Sequence, residues 1–188
     1  VAGGAGNRVY ETKTLDEARK KEIIEKITEY QNRGMRAIGF AYEEITDSSS
    51  ASLEKLSAKM SWLGYIIIED PPRTDVADAI ETCRKAGIDV KIITGDNPLT
   101  AAEIGNQVKI EAGKLDIEHL STSTEYNELS GEKLVEKTLA LKVLARAKPQ
   151  DKMTMVNILK ANNHVVAMTG DGTNDAPAMN ASDCGIAM

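Results

Sequence analysis

The sequence has 188 residues, of which 41% are apolar and 28% charged, and its formal net charge is -6 at pH 7. This composition is that of a globular protein of one or two domains, and it excludes disordered and fibrous classes. The acidic charge argues against binding to nucleic acid, and the longest apolar runs, such as residues 65–68, are too short to cross a bilayer.

The first part of the chain has the pattern of a helix followed by two strands. Apolar residues recur at helical spacing over 15–33, and Gly34 stands where a helix usually ends, which predicts an amphipathic helix. The pattern then predicts a strand over 37–42, a Ser-rich loop over 46–52, a short helix over 53–59 and a second strand over 62–68. We expect the two strands to pair as antiparallel neighbours.

Two consecutive prolines, Pro71 and Pro72, interrupt this pattern. Neither can continue a strand ladder or a helix, because proline lacks an N–H group and restricts the residue before it. We therefore predict a domain boundary here, with a first domain over 1–69 and a second over 70–188.

Beyond the prolines, predicted helices alternate with predicted strands. They are a helix over 75–86, a strand over 89–93, a helix over 98–108, a polar stretch, a strand over 142–145, a helix over 149–161, a strand over 165–168, and a last helix and strand ending near 187. Such alternation predicts right-handed crossovers and a parallel sheet covered on both faces. The predicted fold class is α/β, a Rossmann-like doubly wound domain preceded by a smaller α+β domain.

Ligands of such a sheet bind beyond the carboxyl ends of its strands, and three polar clusters follow predicted strands there. The first contains Thr94, Gly95 and Asp96, with Asn97 as a helix cap and Pro98 as the first helical residue. The amide end of that helix would favour an anion. The same residues are also ordinary turn and capping chemistry, so this cluster alone leaves both interpretations open.

The second cluster is the run 169–177, in which the carboxylates Asp171 and Asp175 are interleaved with glycines. Mg²⁺ prefers one or two carboxylates together with phosphate and water oxygens, and glycine lets the backbone approach a ligand closely. We interpret this run as a site for Mg²⁺ and phosphate. Asp175 has a second interpretation, because it could cap the following helix.

The third cluster contains Arg146, Pro149, Asp151 and Lys152, after the strand that ends near residue 145. Pro149 opens the helix, so Lys152 falls in its first turn, where a cation opposes the helix dipole. A lysine at that end is explained if its ammonium reaches toward a phosphate between neighbouring strand ends. A lysine lying along the surface is the alternative.

These motifs together resemble the cytoplasmic portion of P-type ATPases, and the calcium-pump-like type II branch most. They are Asp-Pro-Pro-Arg at 70–73, Thr-Gly-Asp-Asn at 94–97, the segment 146–152, and Thr-Gly-Asp-Gly-Thr-Asn-Asp-Ala-Pro at 169–177. The resemblance covers essentially the whole chain. It implies a haloacid-dehalogenase-type phosphorylation domain over 70–188, preceded by the C-terminal part of a nucleotide-binding domain over 1–69.

The resemblance also implies a role for each site residue. Asp171 would ligate Mg²⁺, with Asn174 and Asp175 completing the phosphate and metal environment. Lys152 and Thr94 would contact the transferred phosphoryl group. The contacts to ATP would come from Arg36 at the phosphates, Gly95 and Asp96 on the nucleotide side of the cleft, and Arg146 near the ribose.

The family's nucleophilic aspartate lies in an Asp-Lys-Thr-Gly-Thr motif, and that motif does not occur in this sequence. We therefore expect a piece of an ATP-driven cation pump that binds ATP and Mg²⁺ but cannot form the aspartyl-phosphate by itself. The ion would be selected by membrane helices that this sequence does not contain. The expected location is the cytoplasmic face of a membrane, which agrees with two widely separated cysteines, Cys83 and Cys184.

The alternative is a free-standing haloacid-dehalogenase-like phosphatase, or a non-catalytic relative that only binds phosphate. A receiver-type signalling domain is a weaker third hypothesis, because the order of the acidic motifs does not match one.

Overall fold

The computed structural model describes residues 15–42 and 60–188, so the predicted loop over 46–52 and helix over 53–59 lie outside the described residues. The chain divides into two compact units, Val1–Asp70 and Pro71–Met188. The division falls one residue from the boundary predicted at the two prolines. The assignment of the units as nucleotide-binding and phosphorylation domains stays a prediction.

In its described residues, 15–42 and 60–70, the first unit contains a helix, α1 (Glu17–Gln31), and two strands, β1 (Arg36–Tyr42) and β2 (Ser61–Ile68). Asp16 caps α1, since its side chain accepts a hydrogen bond of 2.7 Å from the Arg19 amide. The strands pair antiparallel, as the sequence predicts, with a bulge after Phe40. The described part of this unit therefore has the small α+β arrangement that the sequence predicts.

The second unit alternates helices and strands. Its elements are α2 (Val76–Lys85), β3 (Ile92–Ile93), α3 (Pro98–Gln107), a 3₁₀ turn (Ile117–His119), β4 (Leu120–Thr122), α4 (Ser123–Glu128), α5 (Gly131–Ala140), β5 (Val143–Ala145), α6 (Pro149–Ala161), β6 (Ala167–Gly170), α7 (Ala176–Ala181) and β7 (Cys184–Ala187). The strands form a sheet of order β3-β5-β4 and a pair β6-β7, and every pairing is parallel. The predicted α/β class with a parallel sheet is confirmed.

The central strand β5 explains why the larger sheet is covered on both faces. Val143, Leu144 and Ala145 have no solvent exposure. Because successive strand residues point to opposite faces, Val143 and Ala145 pack with α2 and α3 in one apolar cluster, whereas Leu144 packs with Tyr126 in another. The doubly wound prediction is therefore confirmed for this sheet.

The prediction that helices cover both faces of the sheet is wrong for the pair β6 and β7, because every residue of β7 is exposed. Helix α7 packs against β6 and β7. Beside them Val165 is 90% exposed. In the described part of the chain, these two strands therefore do not share the two-faced burial of β5.

Two strand boundaries differ from the prediction. The strand predicted over 89–93 is only Ile92–Ile93, and the side chains of Asp89 and Lys91 before it form ion pairs. The strand predicted over 165–168 is Ala167–Gly170, because the Val166 amide donates to the Asp183 carboxylate at 2.9 Å instead of to a neighbouring strand.

The segment between α3 and β5, which the sequence pattern describes only as polar, contains β4, α4 and α5. Apolar periodicity does not indicate these elements. The signal was a capping box: the Thr122 side chain accepts from the Glu125 amide, and the Glu125 carboxylate accepts from the Thr122 amide. Helix α4 is too short for apolar periodicity to show. Across the described residues, no helix combines the length and the apolar character that a membrane span requires.

Lys91 fastens the end of α5 to the amino edge of the sheet. Its ammonium donates to the carbonyl oxygens of Leu139 at 2.8 Å and Leu141 at 2.6 Å, and it lies 3.0 Å from the Asp89 carboxylate. Burial lowers the pKa of Lys91, and the Asp89 carboxylate acts in the opposite direction. The ammonium thus satisfies carbonyl groups that the end of a helix leaves without partners.

Replacing Lys91 with methionine should lower the free energy of unfolding by about 1–3 kcal/mol, because two carbonyls and a carboxylate lose their donor. Urea denaturation of the two proteins measures the difference. The control is Lys85→Met: this lysine side chain is 76% exposed and should contribute less than about 1 kcal/mol. Equal losses in the two variants would contradict the role given to Lys91.

Candidate functional site

The loops that follow β3 and β5 are joined by backbone hydrogen bonds. The Arg146 amide donates to the Asp96 carbonyl at 2.9 Å, and the Ala147 amide donates to the Thr94 carbonyl at 2.9 Å. Because β3 and β5 are parallel neighbours, both loops lie at the carboxyl edge of the sheet. The first and third predicted clusters are therefore brought together.

The loop after β3 orients a hydroxyl group and a helix start. The Thr94 hydroxyl oxygen accepts from the Asp96 amide at 3.1 Å, which leaves its O–H able to donate to a ligand. The side-chain Oδ1 of Asn97 accepts a hydrogen bond from the Thr100 amide at 3.0 Å, and Pro98 is the first residue of α3. The capping prediction is confirmed, so turn chemistry accounts for this loop and is compatible with an anion beside it.

Arg146 has a left-handed backbone, with a φ of 55°. This region is unfavourable for residues with a Cβ by roughly 1–2 kcal/mol. The conformation is held by the two backbone bonds to the loop after β3 and by the buried strand before it. Such backbone strain is concentrated at functional sites, which supports the position of Arg146 at the site.

Exchanging Arg146 for glycine and for alanine separates the side chain from the backbone. Both variants lose the guanidinium, but only alanine keeps the strained left-handed residue. The glycine variant should therefore unfold with a free energy about 1 kcal/mol higher than the alanine variant. Thermal or urea denaturation gives this difference, and equal stabilities would show that the backbone strain is absent.

An ion pair connects the start of α6 to the start of α7. The Lys152 ammonium lies 2.6 Å from the Asp175 carboxylate, and the two side chains are only 17% and 11% exposed. Lys152 does not lie along the surface, so that alternative is wrong. Asp175 stands at the N-cap position of α7, but its side chain makes no capping hydrogen bond there.

The charges of Lys152 and Asp175 compensate each other at the start of α6. A cation in the first turn of α6 opposes the helix dipole, and the Asp175 carboxylate compensates it. Few ion pairs are kept this far from solvent without a structural or functional requirement, because burial costs more than an exposed pair gains. The pair brings the second and third predicted clusters together.

Gly170 is required by the close approach of Asp175. A Cβ atom at position 170 would lie 2.4 Å from the Asp175 Cβ and 2.9 Å from the Met179 sulfur. Any larger residue at the end of β6 would therefore displace the carboxylate that Lys152 binds. The glycine of this motif has a steric reason beyond the shape of the turn.

Gly170→Ala should destabilise the protein by about 1–3 kcal/mol, because overpacking forces Asp175 away from Lys152. Gly172→Ala is the matched control, since a Cβ there would meet nothing within 4 Å. Urea denaturation should register a loss in the first variant and little change in the second. A neutral Gly170→Ala variant would contradict the close approach.

The other predicted ligands of the second cluster, Asp171 and Asn174, are exposed. Hydrogen bonds and ion pairs to the Asp171 carboxylate are absent within residues 15–42 and 60–188, over which no group of three or more metal-ligating side chains occurs either. Two carboxylates beside a lysine still fit the donor set of Mg²⁺, which takes one or two carboxylates and completes its shell with phosphate and water. Arg36 is exposed at the start of β1 and belongs to the other unit.

The structure adds a buried polar group, Asp151, for which the sequence patterns predict no role. Asp151 is 2% exposed, and its carboxylate accepts hydrogen bonds from the Ser123 hydroxyl, the Asn127 amide and the Lys148 backbone amide, at 2.6, 2.8 and 2.7 Å. Burial by itself would raise the pKa of Asp151, but these hydrogen bonds hold that pKa below its ordinary value. The available signal was an acid three residues after the helix cap.

Comparison with known families agrees with this geometry. A family model described as haloacid dehalogenase-like hydrolase matches residues 7–183. The chain belongs to the haloacid dehalogenase-like hydrolase family. In this haloacid dehalogenase-like chain, the polar loops that follow β3, β5 and β6 contain the three polar clusters predicted from the sequence.

The chain is also similar to P-type ATPases over nearly all its length. It is 37% identical to the endoplasmic reticulum calcium ATPase of Aspergillus fumigatus over 100% of its residues, and 37% identical to calcium-transporting ATPase 1 of Bacillus cereus over 93%. It is 33% identical to a P-type sodium-transporting ATPase of Plasmodium falciparum over 93%. These matches cover 20%, 19% and 16% of the relatives, so the chain spans about a fifth of their length. The resemblance to calcium-pump-like P-type ATPases is confirmed.

Proposed function

We propose that this chain supplies the phosphate-stabilising and nucleotide-contacting residues of an ATP-driven cation-transporting P-type ATPase. The observation that carries the proposal is the Lys152–Asp175 ion pair. It joins the loops that follow β5 and β6, beyond the carboxyl ends of the strands, where ligands of such a sheet bind. Its location in the cell would be the cytoplasmic face of a membrane. The relatives include calcium and sodium transporters, so the proposal names a cation and no single ion.

In this proposal Lys152 neutralises charge on the transferred phosphoryl group. Its ammonium is already desolvated and held at 2.6 Å from a carboxylate oxygen, so a phosphate oxygen could replace that partner with little rearrangement. The Thr94 hydroxyl would donate to a second phosphate oxygen. Preorganised donors of this kind contribute most where water is excluded, because they need no reorganisation during the reaction.

Asp171 and Asp175 would hold Mg²⁺, with Asn174 beside them. When bound, Mg²⁺ would supply neutralisation of the charge on the phosphate oxygens. Arg146 would meet the ribose, with Gly95 and Asp96 on the nucleotide side of the cleft, and Arg36 would contact the ATP phosphates.

The phosphorylated aspartate would come from an additional strand that carries the Asp-Lys-Thr-Gly-Thr motif absent from this sequence. Among the described residues, β3 pairs only with β5 and β6 pairs only with β7. A parallel strand between β3 and β6 would unite the two sheets in the order β7-β6-new-β3-β5-β4. Its carboxyl end would then lie between the Thr94 loop and the Asp171 loop.

The decisive experiment uses a longer protein in which this sequence follows a segment with the Asp-Lys-Thr-Gly-Thr motif. Incubated with γ-labelled ATP and Mg²⁺, it should form an acid-stable, hydroxylamine-sensitive phosphoprotein. Lys152→Ala should slow its formation by about 10²–10³-fold, the usual effect of losing one charge-stabilising donor. Lys85→Ala is the matched control and should have no effect.

No phosphoprotein from the longer protein would contradict the proposal. The free-standing phosphatase alternative predicts a different outcome, in which the 188-residue chain alone hydrolyses p-nitrophenyl phosphate in the presence of Mg²⁺. Removing Mg²⁺ with a chelator should abolish either activity, so the two hypotheses are separated by which protein is active.

A further inference from the structure

The buried carboxylate of Asp151 lies in the first turn of α6, directly before Lys152. Its two oxygens accept three hydrogen bonds, from the Ser123 hydroxyl, the Asn127 side chain and the Lys148 amide. Ser123 is the first residue of α4, and Asn127 lies one turn later. The carboxylate therefore ties the beginning of α6 to α4 by polar contacts that water cannot easily replace.

Helix α4 is itself fixed to the carboxyl end of a sheet strand. It follows β4 without a linker, and the capping box of Thr122 and Glu125 sets its first turn. Strand β4 pairs with the buried strand β5. A continuous set of contacts thus runs from the centre of the sheet through α4 to Asp151.

Lys152 needs such a support because its own side chain is flexible. A four-carbon stem loses considerable rotamer freedom when its ammonium is held at one place. The reach of the ammonium depends on where the first turn of α6 begins. The Lys148 amide donates to Asp151 at 2.7 Å, and the Lys148 carbonyl accepts from the Asp151 amide at 3.0 Å, so one residue closes the turn that carries Lys152.

We propose that Asp151, together with Ser123 and Asn127, is a positioning residue that holds the Lys152 ammonium opposite Asp175 and ready for a phosphate. That Asp151 positions the Lys152 ammonium does not depend on any ligand. That the ammonium is ready for a phosphate rests on the proposed function. Asp151 also places a negative charge at the amino end of α6, where it complements the helix dipole that Lys152 opposes.

The same core offers a matched control. The Tyr126 hydroxyl lies 2.7 Å from the Thr138 hydroxyl, with the two residues 1% and 0% exposed. This bond joins α4 to α5 and does not involve the first turn of α6. Tyr126→Phe removes one buried hydrogen bond between neutral groups and keeps all three hydrogen bonds to Asp151, so it should lower stability while the first turn of α6 keeps its contacts.

The first test follows the Lys152 ammonium by ¹⁵N NMR in the full 188-residue chain, with its signal assigned from Lys152→Arg. Asp151→Asn should accelerate hydrogen exchange of this ammonium by about fivefold, which corresponds to the contribution of one hydrogen bond. Ser123→Ala is a milder second variant, because it removes a single hydroxyl, and should act in the same direction. Tyr126→Phe should leave the exchange rate unchanged.

Two results would overturn the proposal. One is an unchanged exchange rate in folded Ser123→Ala or Asp151→Asn protein. The other is an equal acceleration in Tyr126→Phe, because the effect would then follow general stability. Urea denaturation of each variant provides the stability against which the exchange rates are compared.

A double variant tests the pairing of Asp151 with Asn127 directly. Combining Asp151→Asn with Asn127→Asp exchanges the amide and the carboxylate, so that the donor and acceptor are reversed across a distance of 2.8 Å in the parent. The double variant should recover part of the exchange protection that Asp151→Asn loses. A double variant no better protected than the single one would argue against this pairing.

A phosphate-binding measurement distinguishes the positioning role of Asp151 from the proposed function of the site. Binding of inorganic phosphate with Mg²⁺, measured by calorimetry on the same chain, should weaken about fivefold in Asp151→Asn and remain unchanged in Tyr126→Phe. If the parent binds no phosphate while Asp151→Asn still releases the ammonium, the proposed function fails and the positioning role stands. If Asp151→Asn binds phosphate as tightly as the parent, the positioning role for phosphate is overturned.

Discussion

The burial of β5 between two apolar layers is the constraint on which the second unit depends. Its three residues are fully buried, and their alternation divides the core into a cluster beneath α2 and α3 and a cluster beneath α4 to α6. Such a strand is apolar on both faces, so polar residues begin only where it ends. The first of them is Arg146, which has a left-handed backbone and whose amide donates to the loop after β3.

The candidate site is organised by charge as well as by the sheet. Lys152 and Asp175 come from different helices and meet at 2.6 Å, with little solvent at either side chain. The carboxylate holds the cation in place, and the cation keeps Asp175 close to the end of β6. In the proposed function, a phosphate would take the place of Asp175 beside Lys152, and a metal would take the place of Lys152 beside Asp175.

Much of the candidate site could be predicted from the sequence, because its signals are local. The Asn97 cap, the proline at the start of α6 and the glycine-rich run after β6 are short-range features, and the structure places them at strand ends as expected. The identity of the chain as a relative of P-type ATPases also came from such motifs. The bond from Asp151 to the Lys148 amide is local, but its other two partners, Asn127 and Ser123, lie 24 and 28 residues away, and no local pattern connects them to Asp151.

The sequence by itself determined the α/β class, the division near the two prolines and the positions of the polar loops, because periodicity and turn chemistry act over a few residues. Tertiary structure decided what local patterns leave open. It made Lys152 a partly buried partner of Asp175 instead of a surface lysine, and it required Gly170 for the approach of that carboxylate. These outcomes depend on distances between segments far apart in the chain, which are set when helices and strands pack together.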